Sequence, residues 1–179
     1  MFNALPRVLG AALHLRRRSA KSLDAASGVT TARFLFVGIA IVIFILDRTT
    51  KSLVAAQIPY GSEVQLIGHL VGITNVRNSG AAFGVAPAGA GLFLIASIVV
   101  AIGLALYVFR NPGDRWSFGA LGLIMGGTVG NGFDRIVNGT VTDFVNVHFW
   151  PVFNIADSAI SIGVVLLIAS YFLRRSPSG

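Results

Sequence analysis

Asp143 and Asp157 are the two side chains of this sequence hardest to explain without chemistry. Asp143 lies in "VTDF", inside an otherwise apolar run that alternates like a strand. Asp157 lies in "FNIADS", about one turn inside a long apolar helix, with no Lys or Arg near it in the local sequence. A carboxylate at mid-membrane costs roughly 2.5–3.5 kcal/mol, and less near the edge. Two carboxylates that meet at a partly dry site titrate apart, so that one holds a proton and the other does not. Such a pair supplies an acid and a base, the arrangement that activates water against a peptide bond. No Ser–His pair, Cys–His pair or HExxH motif competes for the nucleophile role.

Other polar residues gather at the same level of the chain. "DRTTK" puts Asp47 and Lys51 at i and i+4 on one helix face. Asn78 heads "NSGAAFG". In "GNGFDR", Asn131 and Asp134 share a face at i and i+3, as do Asn154 and Asp157. Each also has an ordinary reading. Asp47–Lys51 reads as a surface ion pair, Asp134–Arg135 as interface anchors, and Asn154 as a helix N-cap. Random polarity would not choose one end of every apolar segment.

The elements that must carry these residues are set by composition. Of 179 residues, 54% are hydrophobic and 12% charged, with a mean hydropathy of +0.77. Soluble domains are about 25% charged. Four segments are long and apolar enough for a bilayer helix: Phe34 to about Leu53, about Gly91–Phe109, about Trp116–Phe133 and about Asn154–Leu173. The expected fold is an all-α membrane protein of four transmembrane helices. Two outer segments alternate or lack helical period. Val64–Ile67, Leu70–Arg77 and the run from Val141 to His148 read as strands, forming a small β-platform on the outer face. Gly122, Gly126, Gly127 and Gly130 read as close packing on the third span.

The net charge of +7 is distributed as in a membrane protein, not a nucleic-acid binder. Arg7, Arg16, Arg17, Arg18, Lys21 and Arg33 precede the first span. Arg110 and Arg115 lie between the second and third, and Arg174 and Arg175 follow the fourth. The positive-inside rule makes that side cytoplasmic, with both termini inside. Residues 1–33 read as a basic N-terminal extension, amphipathic from Phe2 to Leu13, that lies on anionic lipid or forms a tail. Residues 34–173 form the membrane domain, and 174–179 a cytoplasmic tail. There is no cysteine, and His14, His69 and His148 show no ligand spacing, so no metal and no cofactor is expected.

In order, "DRTTK", "RNSGAAFG", "GGTVGNGFDR", "VTDF" and "FNIADSAI" resemble the lipoprotein signal peptidases (signal peptidase II) over about residues 34–173. The resemblance implies a four-helix bacterial inner-membrane aspartyl endopeptidase with its site near the periplasmic face. Its substrates would be lipid-modified prolipoproteins, cut before the diacylglyceryl-bearing cysteine, with no obligate protein partner. By motif match the catalytic pair falls on Asp143 and Asp157, and supporting positions fall on Asp47, Lys51, Asn78, Asn131, Asp134, Arg135 and Asn154. Two other classes compete. A proton-coupled transporter would tend to show repeats and a midplane site. A non-catalytic membrane subunit would leave the convergence of the two aspartates unexplained.

Overall fold

The structure, a computed structural model, describes residues 5–80 and 88–175, with side chains from 27 to 80 and from 91 to 173. The amphipathic face expected near the N-terminus, residues 81–84 of "RNSGAAFG", and the side chains of Arg174 and Arg175 lie outside these described residues. Four helices, α1 (Leu5–Gln57), α2 (Ala88–Arg110), α3 (Arg115–Asn138) and α4 (Ile155–Arg175), combine with three strands. The strands are β1 (Glu63–Ile67), β2 (Val71–Asn78) and β3 (Val141–Asn146).

Among the described residues, three helical segments are long and apolar enough to cross a membrane: Ser27–Gln57, Gly91–Arg110 and Ile155–Leu173. Their large side chains point outward, as with Ile41 (53% exposed), Val99 (63%) and Val165 (65%). That is the patterning expected where lipid is the solvent, because tails gain nothing from hiding leucine. The sequence reading gave α3 the same status. α3 has the length, but it is mostly buried, and its sheet-side half buries glycine, Thr128, Asn131 and Asp134 instead of large apolar side chains.

That composition suits its position, because α3 packs against α1, α2 and α4. Glycine lets the backbones meet. A Cβ on Gly122 would fall 2.8 Å from Phe36 O, and one on Gly126 would fall 2.7 Å from both Ala40 O and Ile43 Cβ. Gly127 faces the carbonyl of Ala156 on α4, and Gly163 of α4 faces Ala120 O in return. Asp114 caps the start of α3 through Oδ1, which accepts from Trp116 N (3.0 Å) and Ser117 N (3.2 Å). Gly139 ends the helix at φ 70°, in the left-handed region that suits glycine. At the same end of the bundle as Asp114, Arg33 of α1 donates to Val108 O and Phe109 O, the unpaired carbonyls of α2. The apolar core of Ala32, Phe36, Val108, Phe118, Leu121 and Ile124 lies beside it.

The other end carries the sheet. The strands pair antiparallel in the order β1-β2-β3. β2 is central, with Glu63 opposite Thr74 and Val76 opposite Asp143, and a bulge between Ile73 and Val76. The expected strands are present to within a residue or two. The exception is the end of the third, which stops at Asn146, because His148 adopts φ 57° and turns the chain. Both faces of β3 are covered at its start, since Val141, Thr142, Asp143 and Phe144 are all buried. α1 and α3 end at this sheet, and α4 starts from it.

The glycine contacts give a direct test. Gly126→Ala should destabilise the bundle by about 1–3 kcal/mol, the usual range for overpacking, because its Cβ meets backbone oxygen. Gly103→Ala on α2 meets nothing within 4 Å and should leave stability unchanged. Thermal unfolding of both in detergent checks this, and equal melting temperatures would contradict the packing.

Candidate active site

The C-terminal ends of α1 and α3, the N-terminus of α4 and strand β3 meet around one buried ammonium. Lys51 Nζ lies 2.7 Å from Asp47 Oδ2 and 2.8 Å from Asp134 Oδ2, and donates to Asn131 Oδ1 at 2.9 Å. Of the three protons a lysine has to give, one goes to Asn131 in a hydrogen bond, and the two carboxylates stand at ion-pair distance. Lys51 is 2% exposed, and Asp47 and Asp134 are fully buried. Asp134 also pairs with Arg48 and accepts from Thr142 N of β3 at 3.4 Å. Asp47 Oδ1 accepts from Ala156 N at 3.0 Å, fixing the first turn of α4 against α1. Two cations thus balance two anions, and each anion also holds a backbone N–H.

Lys51 sets the direction of the amides beyond it. An ammonium only donates, so Asn131 must turn its oxygen to Lys51. Its Nδ2 then donates to Asp157 Oδ1 at 2.7 Å. Asn154 Nδ2 donates to the same Asn131 oxygen at 3.2 Å and to Asp143 Oδ1 at 2.6 Å. Asn154 Oδ1 accepts from Asp157 N at 2.9 Å, while Asp157 Oδ2 accepts from Asn154 N at 3.2 Å, a reciprocal cap on α4. The two readings of Asn154 therefore coexist: its oxygen caps the helix and its nitrogen holds Asp143. Asn78 completes the set, donating to Asp143 Oδ2 at 2.8 Å and accepting from Gly80 N at 2.7 Å.

Asp143 and Asp157 are thus brought to one place, linked through Asn131 and Asn154. Among the described residues no cation is hydrogen-bonded to either. Burial pushes the Asp143 carboxyl up to about 6. The Asn78 bond opposes that shift, the nearby Asp157 charge adds to it, and Asn154 and Lys51 work against it. Asp157 is half-buried and opens onto a cleft of about 390 Å³ lined by Trp150, Phe153, Ser158, Ser161 and Ile162. One carboxyl is held dry and the other reaches a space that a ligand can enter.

Of the nine residues singled out from sequence, eight belong to this one network. Arg135 stands at its rim, donating to Asn131 O at 3.3 Å, with its guanidinium carbon 5.3 Å from the Phe93 ring centroid. Arg48, which balances Asp134 and lies 4.8 Å from the Phe133 ring centroid, escaped the sequence reading. It sits inside "DRTTK", but nothing in its spacing marks a partner 86 residues away.

The ammonium carries a second test. Lys51→Met leaves Asp47 and Asp134 buried with one counter-charge fewer, and breaking a buried pair this way costs about 3–5 kcal/mol. Adding Asp47→Asn should recover part of the loss. Melting temperatures of the single and double variants decide it, and a Lys51→Met protein as stable as the parent would refute the accounting.

Comparison with known proteins agrees with this geometry. The family model described as Signal peptidase (SPase) II matches residues 39–173. The lipoprotein signal peptidase of Halalkalibacterium halodurans is 41% identical over 134 residues, covering 72% of this chain and 86% of that protein. The one from Rhodococcus jostii is 40% identical over 155 residues, covering 82% and 77%. A solved bacterial membrane enzyme superposes with a TM-score of 0.72 at 32% identity, over 80% of this chain and 91% of that one. With a family match across most of its length and relatives of this identity, the chain belongs to the signal peptidase II family, and is an aspartic peptidase of the membrane.

Proposed function

We propose that Asp143 and Asp157 are the catalytic pair with which this lipoprotein signal peptidase cuts prolipoproteins before the lipid-modified cysteine. The observation that carries the reading is the amide bridge: Asn154 and Asn131 hold the two carboxylates together, with no cation among the described residues bonded to either. Asp143, the drier group, keeps the proton. Asp157, at the positive end of the α4 dipole and open to the cleft, is the base.

In the first step Asp157 takes a proton from water, the water oxygen attacks the scissile carbonyl carbon, and Asp143 protonates the carbonyl oxygen. In the second, Asp143 recovers that proton as the carbonyl re-forms. Asp157 gives its own to the leaving amine of the cysteine as the C–N bond breaks. Asn78, Asn131 and Asn154 fix the carboxyl rotamers, and Lys51 polarises Asn131. Asp47, Asp134 and Arg135 hold the surrounding helix ends.

We place the site at the periplasmic face of the bacterial inner membrane, with both termini cytoplasmic. Arg33, Arg110 and Arg115 lie at the opposite end of the bundle, which supports that orientation. α3 serves as the fourth span, sheathed by three apolar neighbours, and the sheet rests at the outer surface. A lipid anchor holds the scissile bond at that surface, which is why the carboxylates are kept there despite their desolvation.

Asp143→Asn and Asp157→Asn should each abolish cleavage of a diacylglyceryl-modified precursor while the protein still inserts and folds. The double variant should be no worse, because the two act as a unit. An unlipidated precursor should remain uncut. Cleavage by either purified single variant at the parent rate would sink the pair, and cleavage of neither precursor by the parent would favour a transporter or a subunit. The raised Asp143 carboxyl sets the pH dependence. The acid form is required, and it is lost as pH rises through about 6, so kcat/KM should fall above a limb near that pH. In kcat the limb should lie higher, since bound substrate removes more water. A profile that rises through this region would reverse the roles.

A further inference from the structure

Glu63 is the only glutamate in the chain, and the catalytic reading leaves it unused. It stands on the edge strand β1, yet its carboxylate does not stay there. Oε2 accepts from Asn146 Nδ2 at 3.0 Å and Oε1 lies 2.9 Å from His148 Nε2. Both partners belong to the far side of the sheet, so the side chain must cross the central strand. It crosses at Gly72. A Cβ there would fall 2.8 Å from Glu63 Cδ and 2.9 Å from Cγ, and closer still to Oε1.

What the carboxylate reaches is the loop between β3 and α4. His148 turns that loop with φ 57°, a conformation uncommon for a residue other than glycine, and its backbone N–H is held by Asn146 Oδ1 at 3.0 Å. Two residues on, Trp150 is 65% exposed and forms one wall of the cleft that opens on Asp157. The base of the loop is closed separately. Val145 N donates to Phe153 O at 2.8 Å, and Phe153 N to Val145 O at 3.1 Å. That bridge lies between the loop and Asn154, so a shift of Trp150 need not reach the amides that hold the carboxylates.

We propose that Glu63, through His148 and Asn146, is a positioning residue that sets the aromatic wall of the substrate cleft. The proposal rests on the catalytic reading above. The latch acts on substrate binding and not on the chemical step. His148 Nε2–H donates to the carboxylate whether or not the ring is charged, so the contact does not need protonation. The pair is partly exposed, with His148 at 38% and Glu63 at 26%, and such pairs add little to overall stability. Their effect is local, on where Trp150 stands.

Gly72→Ala is the incisive variant. Its new methyl displaces only the flexible Glu63 side chain and leaves both partners in place. The parent, Gly72→Ala, Glu63→Ala, His148→Ala and the Glu63→Ala/His148→Ala double variant would be assayed on the diacylglyceryl-modified precursor in detergent, with melting temperatures on the same samples. KM should rise about 5–20-fold in each, with kcat within about 2-fold and melting temperatures near the parent's. The double variant should be no worse than either single one, because the pair acts as a unit. A parent that does not cleave would remove the catalytic reading itself. A cleaving parent overturns the latch in two cases: unchanged KM in Gly72→Ala and Glu63→Ala, or a loss confined to kcat or to the folded fraction.

Discussion

The structure depends on a buried ammonium held between two buried carboxylates and an amide oxygen. Lys51 donates to Asn131 and lies 2.7 and 2.8 Å from the Asp47 and Asp134 carboxylates, and the contacts built on these three groups inherit their direction. Asp47 hands the order to the first turn of α4, Asp134 to Arg48 and β3, and Asn131 to Asp157. Burying these ions is expensive, so their worth is not mainly as a source of stability. What they supply is orientation. Among the described residues Asp143 and Asp157 receive neutral amides, so the network positions them without a bonded cation that would hold both ionised.

This polar cluster is possible because the rest of the bundle follows the rules of a lipid solvent. Backbone groups are satisfied within helices, and large apolar side chains face outward. The interior can then be built from glycine and short polar groups. α3 shows the consequence: its glycines bring α1 and α4 close enough for Asp47 to reach Ala156 N. Where two helices touch backbone to backbone, a side chain on one can bond the main chain of the next.

Much of this was readable before any coordinates. The i, i+4 and i, i+3 spacings of Asp47 with Lys51, Asn131 with Asp134 and Asn154 with Asp157 follow from helical period alone. The strands were legible from β-branched runs, and the glycines of α3 from their small-xxx-small spacing. What period cannot reveal is which faces meet. That Lys51 answers Asp134 as well as Asp47, that Arg48 balances the second, and that Glu63 crosses a strand to reach His148 are through-space facts. Alternation along β3 also does not reveal that Val141–Phe144 are buried as an unbroken run. Apolarity was a fair guide to α1, α2 and α4. It served less well for α3, whose neighbours take over the task of facing lipid.

The order of the elements along the chain also bears on biosynthesis. Asp143 is made on β3, and the Asn154–Asp157 half of the amide bridge comes only with the last helix, α4. A ribosome-bound chain that has completed α1 to β3 holds the lysine, its two anions and Asp143, but neither Asp157 nor the Asn154 that bridges the two. The two aspartates therefore come together only with the last helix, in the same docking that closes the bundle.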